Sequence, residues 1–406
     1  MGYINFQRLM VHMQDRSNLS RLIESNLINH ADLPSTLMVE IKDRFRKRLF
    51  DGLSVYKLNS IFPKHSVSSF KNYKRGAFIP VCLFEELVRL KNIDIEEVNR
   101  GILKVKKRLC GLPIKISLPI CCSEQLAELV GHTFGDGHIS EGGRFVYVNT
   151  SGRLIEKVRR LVCYVFGDSI WCNYRKRSDG SFSLHYPSAI GELLAGLGCI
   201  KGNKFKQVFD VPDWIKSGSL NFKAAFVRAL FDDEGSVSNS RIAINMAKQE
   251  SLESGLRTFF NSIISILNDL RIRPGNVVVC ARRQNKNGAR AVGLLFVICG
   301  LVELKNFSEN VGFVHPLKRE RLQNLVTSFI QPNYHDGEAR TIILDEIRGL
   351  MSTKEICEVI DRCMKTTRYH LKLLEKEGKI KKVVAHKSRW LWQLSDQSKE
   401  RSTSLT

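Results

Sequence analysis

The sequence has no pair of cysteines at C-x-x-C spacing and no histidine cluster beside any of its eleven cysteines. Several cysteines stand in apolar runs, such as Cys163 in RRLVCYVF, and the adjacent Cys121 and Cys122 have poor geometry for one metal ion. These patterns argue against a zinc site or a disulfide framework. They favour small buried side chains in a reducing compartment.

No apolar run reaches the length that crosses a bilayer, and the N-terminal residues lack the apolar core of a signal peptide. We therefore expect a soluble, cytoplasmic and nucleoid-associated protein with no membrane partner. The chain begins Met-Gly, ends Ser-Leu-Thr and lacks the terminal nucleophile and His-Asn pair that protein splicing needs. It is therefore not expected to be an intein.

Acidic residues are scarce: 41 Asp and Glu stand against 63 Lys and Arg, which leaves a formal charge of +22. The excess is spread along the chain, so folded basic surfaces are favoured over a basic tail. Such a charge indicates a polyanionic partner, most commonly nucleic acid. At 406 residues and 43% hydrophobic, the chain is expected to form two to four domains.

Residues 1–120 are expected to form an all-α domain. Within 51–94, a helix (SVYKLNSIF) is followed by a turn, a polar basic helix (HSVSSFKNYKRG) and an amphipathic helix (VCLFEELVRL). This order is typical of a helix-turn-helix, and an ordinary helical bundle with a solvated basic face is the alternative. The middle helix would present polar side chains to DNA, namely Ser68, Ser69, Lys71, Asn72 and Lys74.

Residues 121–218 and 219–332 repeat one α/β unit. Each passes through a helix, two strands, a helix, two strands and a helix, and each closes on a similar basic segment, GLGCIKGNKF or NVGFVHPLKRERL. The first helix of each unit ends in an acid followed by glycine, and 234 − 136 = 98 residues separate the two acids. An internal repeat of this length decides the fold class more than any single motif does.

Small residues recur every four positions in both first helices, so the two helices can cross with their backbones nearly touching. Gly131 and Ala229 would lie at the crossing. Asp136 and Glu234 would then share one place with the carbonyls and negative dipoles of two helix C-termini. A hard-oxygen site of this kind suits Mg²⁺. Either motif alone would most simply be a C-cap and turn.

The paired motifs LVGHTFGDG (129–137) and VRALFDDEG (227–235) resemble the nine-residue motif of the LAGLIDADG homing endonucleases in their single-chain, two-repeat form. The resemblance covers roughly residues 121–330. It implies an α+β fold with a pseudo-twofold αββαββα repeat pair, crossing central helices and two four-stranded sheets over the DNA major groove. It also implies a monomer in which the two repeats replace a homodimer.

The resemblance further implies that Asp136 and Glu234 bind Mg²⁺ or Mn²⁺, with the carbonyls of Gly135 and Asp233 as secondary ligands. Lys248 matches a basic residue that supports catalysis, and Thr150 stands where its counterpart would lie in the first repeat. The sixth motif position, often Asp, is Phe134 in the first copy. Because that position mainly caps or packs, its change removes no metal ligand.

Basic strands in both repeats are candidates for base or phosphate contacts. They are NYRKR (173–177) and CARRQNK (280–286), in which we single out Arg175, Arg177, Arg282 and Arg283. A merely solvated face is the alternative for each residue.

Residues 336–396 are expected to form a winged helix, with three helices followed by a β-hairpin, and 397–406 a disordered tail. Ser352 and Glu355 form a capping box at the second helix, and TTRYHLKLLEKEGKI would be the recognition helix. Protein contacts are the alternative role. The residues expected to face DNA are Lys365, Thr367, Arg368, Lys372, Lys387 and Arg389.

The sequence thus predicts a Mg²⁺-dependent, site-specific double-strand DNA endonuclease of the homing type, with a DNA-binding module at each end. The alternative is a DNA-binding transcriptional or genome-maintenance regulator on a domesticated LAGLIDADG scaffold. Binding or processing of structured RNA rests on charge alone and ranks below both.

Overall fold

A computed structural model of the chain describes residues 27–109, 111–284, 288, 290–328, 337–360, 362–385 and 389–395. The chain divides into two compact units, Met1–Glu320 and Arg321–Thr406. This boundary falls earlier than the one expected near 332–336. The tail predicted at 397–406 lies outside the described residues.

The first part of the larger unit contains an antiparallel sheet, which corrects the expectation of an all-α domain for 1–120. The sheet order β3-β2-β4-β5 joins Ile79–Pro80, Leu37–Ile41, Ile102–Lys107 and Ile114–Lys115. The segment LMVEI of β2 buries alternate side chains, the period of a half-buried strand. Its main partner, β4, follows only after an intervening helical segment. The pairing of these two short strands therefore could not be predicted from the local sequence pattern.

Between β2 and β4 the chain forms five helices, and the second to fourth are the three predicted within residues 51–94. The helices are α1 (Asp43–Phe50), α2 (Val55–Ile61), α3 (Val67–Arg75), α4 (Val81–Lys91) and α5 (Ile95–Gly101). Ser66 caps α3 by accepting from the N–H of Ser69, and Gly76 ends the helix at φ 120°, where a side chain would be strained. Phe70 is fully buried, so α3 keeps a core-facing side.

This N-terminal region is joined to the first repeat. Strand β1 (Leu27–Ile28) pairs with β6 (Ile120–Cys121). Buried Glu192 also accepts from Thr36 Oγ1 at 2.9 Å and pairs with Lys107 Nζ at 2.8 Å and Lys201 Nζ at 2.7 Å. Because a buried carboxylate needs such partners, these contacts tie the N-terminal sheet to the repeat.

The two repeats have the same element order and sheet topology. The first contains α6 (Glu124–Phe134), β7 (Gly137–Ile139), β8 (Phe145–Asn149), α7 (Gly152–Phe166), β9 (Asn173–Lys176), β10 (Phe182–His185) and α8 (Ser188–Gly196). After the short α9 (Asp213–Lys216), the second contains α10 (Leu220–Glu234), β11 (Gly235–Val237), β12 (Arg241–Gln249), α11 (Glu253–Asp269), β13 (Val278–Gln284), β14 (Arg290–Cys299) and α12 (Leu301–Asn310). Their antiparallel sheets run β7-β8-β10-β9 and β11-β12-β14-β13.

Helices α6 and α10 cross at close range. A methyl group added to Gly131 would lie 2.5 Å from the carbonyl oxygen of Phe226 and 2.8 Å from the Cβ of Ala229. Gly131 therefore permits an approach that alanine would obstruct. Ala127, Ala225 and Ala229 are buried on the same helices. This crossing decides where the two motif acids lie.

In its described residues after 336, the smaller unit has three helices and a small sheet. The elements are α14 (Glu338–Glu346), β15 (Met351–Ser352), α15 (Thr353–Val359), α16 (Met364–Lys376), β16 (Ile380–Ala385) and β17 (Arg389–Leu394), and α13 (Pro316–Thr327) precedes them across the unit boundary. The sheet order is β15-β17-β16. Ser352 and Glu355 form the predicted capping box. The core contains Ile343, Ile356, Leu371, Leu374 and Trp392.

Among the described residues, no helix combines the length and apolar character that a membrane crossing demands.

Candidate active site at the crossing of two helices

Two carboxylates lie where the crossing helices end. Glu234 is the last residue of α10, and Asp136 follows Gly135, the C-cap of α6. The main-chain N–H of Asp136 donates to Asp233 Oδ2 at 3.1 Å, so one hydrogen bond joins the two helix ends. Helix C-termini also carry unsatisfied carbonyls and the negative end of the helix dipole. Negative charge is therefore concentrated at this place.

The environment disfavours the ionised acids. Burial, together with the charges of Asp233 and Glu234, raises the pKa of Asp136 to about 7. Burial also raises the pKa of Glu234, while Lys204 opposes that shift and Asp233 adds to it. Asp136 still reaches solvent, so a ligand can approach it. A cation bound beside these acids would favour their ionised forms.

Two lysines that the sequence analysis did not single out cover the helix ends. Lys204 Nζ, in a short 3₁₀ helix, donates to the carbonyls of Thr133 at 3.2 Å, Phe134 at 3.0 Å and Gly135. Burial lowers the pKa of Lys204, and the negative charges of Glu234 and Asp136 oppose that shift. An ammonium among helix C-terminal carbonyls offsets the negative end of the dipole.

Lys318 makes the matching contacts in the second repeat. Its Nζ donates to the carbonyls of Phe231 at 3.1 Å, of Asp232, and of Asp233 at 3.3 Å. Burial lowers its pKa against the opposing charges of Asp232 and Asp233. The repeated closing segments GLGCIKGNKF and NVGFVHPLKRERL contain these lysines. That repetition was the one sequence signal that could have identified them.

Lys248 is bonded to main-chain carbonyls rather than to the acids with which the sequence analysis grouped it. Its Nζ donates to Lys204 O at 3.0 Å and to Gln207 O, and it lies 3.5 Å from the ring centroid of Phe209. Burial, and then the charge of Lys204, lower its pKa to about 8. Lys248 therefore holds the segment that carries Lys204.

The strand register corrects the expected counterpart of Lys248. Gly137 pairs with Tyr147, and Gly235 pairs with Ile244. Lys248 lies four residues after Ile244, and the residue four after Tyr147 is Ser151. The counterpart is therefore Ser151 and not Thr150, because the first repeat has one more residue between motif acid and strand.

The carbonyls assigned as secondary ligands, those of Gly135 and Asp233, accept from Lys204 and Lys318 respectively. At the sixth motif position, Asp232 accepts from the N–H groups of Val314 at 3.0 Å and His315 at 2.8 Å. Its counterpart Phe134 is buried and stacks on Phe259. That position thus caps in one copy and packs in the other.

The donor set suits a divalent metal ion. Asp136 and Glu234 offer hard oxygen ligands whose repulsion a cation would relieve. Mg²⁺ commonly takes one or two carboxylates and completes its shell with waters and substrate phosphates. Within the described ranges, no group of three or more His, Cys, Asp or Glu side chains could hold a metal ion. The residues fit a magnesium site built on a carboxylate pair.

The residues predicted to contact DNA differ in solvent exposure and in ion pairing. Arg175, Arg177 and Arg283 are exposed on the sheets of the two repeats. The guanidinium of Arg282 is paired with Glu250 at 2.6 Å and with Glu253 at 2.8 Å. This ion pairing lowers the positive charge that Arg282 can offer to a phosphate.

On the N-terminal α3, Ser68, Lys71 and Asn72 are exposed and Ser69 is partly so, whereas Lys74 donates to Leu53 O. On α16, the exposed residues are Lys365, Arg368 and Lys372. Thr367 is buried and donates to Cys363 O at 3.1 Å, which corrects its expected outward position. The predictions for Lys387 and for the side chain of Arg389 lie outside the described residues.

Comparisons with known proteins find no matching family model. The tRNA-splicing ligase RtcB of Methanopyrus kandleri is 28% identical over 245 residues, which cover 55% of this chain and 24% of that protein. RtcB of Pyrococcus furiosus is 26% identical, covering 62% and 28%. The Replication factor C small subunit of Methanocaldococcus jannaschii is 25% identical, covering 62% and 13%. The chain thus matches less than a third of the length of each of these relatives.

Solved structures similar to the chain include homing endonucleases. I-DmoI in complex with DNA and Ca is 16% identical, covering 50% of this chain and 97% of that one, with a TM-score of 0.34. The homing endonuclease I-WcaI bound to its DNA recognition sequence is 14% identical, covering 49% and 86%, with a TM-score of 0.31.

Proposed function

We propose that the chain is a metal-dependent, site-specific endonuclease that cleaves double-stranded DNA, of the homing type. The observation that carries the proposal is the convergence of Asp136 and Glu234 at the ends of two crossing helices. Each acid comes from the same place in one copy of a duplicated unit, and a duplex likewise presents two strands related by an approximate twofold axis. One acid for each strand is the simplest interpretation of this symmetry.

In this proposal Asp136 and Glu234 hold Mg²⁺ or Mn²⁺. A divalent cation held there would activate a water and neutralise phosphate charge. Lys204 and Lys318 keep positive charge beside the acids, which would help to stabilise the charge that develops on the phosphate. Because Lys248 bonds the carbonyls of Lys204 and Gln207, we now assign it a positioning role instead of a catalytic one.

The remaining surfaces suit duplex DNA. The sheets of the repeats expose Arg175, Arg177 and Arg283, and such side chains read base edges or neutralise phosphates. We propose that α2–α4 act as a helix-turn-helix and that residues 338–394 act as a winged helix, so that both lengthen the DNA contact. One chain supplies both half-sites, and we propose that it acts as a monomer.

Two other activities have less support from the described residues. A regulator on the same scaffold would need the DNA-contacting surfaces but not the acid pair, which this chain retains. The names of the relatives specify unrelated activities, a ligase and a replication factor among them, while each match covers 13–28% of the relative. A segment shared by such different proteins does not carry the named activity of any one of them, so ligation is not proposed.

Selection of cleaved sites from a randomised duplex library in Mg²⁺ tests the proposal. We expect one long asymmetric site to be enriched, and the products to disappear when EDTA is added or when Asp136→Asn and Glu234→Gln are combined. Sequence-specific binding with no cleavage in Mg²⁺ or Mn²⁺ would favour the regulator. The absence of both binding and cleavage would reject both functions.

A further inference from the structure

The two motif acids are not held alike, although the repeats that carry them share one topology. Asp136 is fixed from two directions. Its main-chain N–H donates to Asp233 Oδ2 at 3.1 Å, and its carboxylate Oδ2 accepts from Asn149 Nδ2 at 2.7 Å. For Glu234, the described contacts include the charges of Lys204 and Lys318 but no such paired arrangement.

The groups that hold Asp136 are themselves connected. Tyr147 Oη donates to Asp233 Oδ1 at 2.7 Å and lies 3.3 Å from Asn149 Nδ2. His132 Nδ1 lies 3.1 Å from Asp233 Oδ2, and the side chains of His132 and Asp233 are both completely buried. A buried network of this kind, once its members are paired, has little freedom to rearrange.

Asp233 reaches this position because Gly135 has no side chain. A methyl group at Gly135 would lie 2.5 Å from both the Cβ and the Oδ2 of Asp233. The acid of the second helix therefore crosses over the end of the first helix. The contact is between repeats, so the second repeat positions the acid of the first.

The residues that would hold Glu234 in the same way are missing from the other end of the crossing. Motif alignment places Gly135 opposite Asp233, and Leu230 opposite His132. By strand register, Ile244 takes the place of Tyr147, and Met246, two residues on, that of Asn149. Four polar members of the network are thus replaced by glycine or apolar residues at the Glu234 end.

We propose that Asp233, Tyr147 and Asn149 are positioning residues that preorganise Asp136, so that the two half-sites are unequal and one strand depends on this network for its cleavage. This inference rests on the proposed nuclease function. It assigns the three residues no contact with substrate. Their effect passes through Asp136, which they hold by its main chain and its carboxylate.

Tyr147→Phe tests the proposal with a small change. It removes the hydroxyl that joins Asp233 to Asn149 and keeps the ring. Tyr186→Phe is the matched control, since Tyr186 is another buried tyrosine of the same repeat and its hydroxyl lies beside Cys172 instead of Asp233. Asn149→Met is the second variant, because it removes the donor to Asp136, adds no carboxylate beside that acid, and introduces the residue type found at the equivalent register position, Met246.

The two strands of a selected duplex carry different labels, and their cleavage rates are measured separately. Loss of a hydrogen bond to a charged group changes a rate by about tenfold or more. We expect Tyr147→Phe and Asn149→Met to slow the same strand by about that factor while the other strand changes by less than about twofold. A general folding defect would slow both strands equally, and that result would overturn the proposal.

Binding of Mn²⁺ alone, measured by electron paramagnetic resonance without DNA, gives a second readout. We expect both variants to bind Mn²⁺ more weakly than the wild type and Tyr186→Phe to match it. If the wild type cleaves no duplex, the proposed function fails and the Mn²⁺ affinities alone decide the positioning role. Unchanged Mn²⁺ affinity in both variants, or no Mn²⁺ binding by the wild type, would reject that role.

Discussion

Lys204 and Lys318 show how single residues stabilise a site that gathers negative charge. Both lysines are partly buried, and the desolvation of each ammonium is offset because it donates to the last carbonyls of a motif helix and lies near ionisable acids. Their repeated basic segments were visible in the sequence. Their fold-back onto helices far earlier in the chain was not.

Asp136→Asn should abolish or severely reduce Mg²⁺-dependent cleavage and leave duplex affinity nearly unchanged. The amide is a poorer metal ligand, whereas affinity comes mostly from phosphate contacts elsewhere. Cleavage and binding are measured on one selected duplex, with the exposed Asp168→Asn as control. Full cleavage by Asp136→Asn would remove this carboxylate from the proposed metal site.

Glu85, on α4 of the N-terminal region, leads to a pH-dependent prediction. Burial, opposed by Arg89, raises the pKa of Glu85 from 4.5 to about 7. Between these values the folded protein binds a proton that the unfolded chain releases, so this stabilising contribution is complete below about pH 4.5 and is lost as the pH rises through 7. Burial lowers the pKa of neighbouring His30, whose contribution has the opposite sign.

Glu85→Gln should therefore remove part of the fall in stability between pH 4.5 and 7. The free energy of unfolding is measured by chemical denaturation across that range for the wild type and the variant. Because His30 Nε2 lies 3.9 Å from Glu85 Oε1, the difference between the two curves also contains the change in the titration of His30. Parallel stability curves for the two proteins would show that Glu85 is ionised normally in the fold.

Among the secondary-structure elements, the crossing of α6 and α10 depends on the absence of side chains at particular positions. The spacing of small residues in ELVGHTFGDG predicted a close crossing, and Gly131 lies against the Phe226 carbonyl. Which residue of α10 would meet Gly131 depends on the crossing angle, which the spacing does not specify.

Gly131→Ala should destabilise the larger unit by about 1–3 kcal/mol, because the added methyl group meets backbone that cannot move aside easily. Gly152→Ala, at the start of α7, is the control, because no atom lies within 4 Å of the position that its methyl group would take. That variant should be neutral or slightly more stable. The melting temperatures of the wild type and both variants are compared. Equal values for Gly131→Ala and the wild type would contradict the close crossing.

For the molecule as a whole, the basic excess is carried by several surfaces instead of one. Exposed arginines lie on the repeat sheets, and exposed lysine and arginine side chains lie on α16 of the smaller unit. If the smaller unit contacts phosphates, it contributes affinity and salt dependence without setting the position of the cut. The regulator alternative assigns sequence preference to that unit instead.

Replacing Lys365, Arg368 and Lys372 by alanine in the full chain should weaken DNA binding and reduce the slope of log K against log salt by about 0.9 for each phosphate that is no longer neutralised. The cleavage position should stay unchanged, because Asp136 and Glu234 belong to the repeats. Lys354→Ala, at an exposed lysine of α15, is the control. An unchanged salt slope would reassign α16 to protein contacts, and lost sequence preference would favour the regulator.

The sequence by itself determined the features that depend on local pattern and repetition: the duplicated αββαββα order, the small residues of α6 and α10, the paired acids, the capping box at Ser352 and the helices of the smaller unit. Only the tertiary structure decided the pairing of β2 with β4, the return of Lys204 and Lys318 to the helix ends, and the reach of Asp233 over Gly135. These are contacts between segments distant in sequence. Periodicity and capping signals describe neighbours along the chain, whereas such contacts depend on how the elements pack.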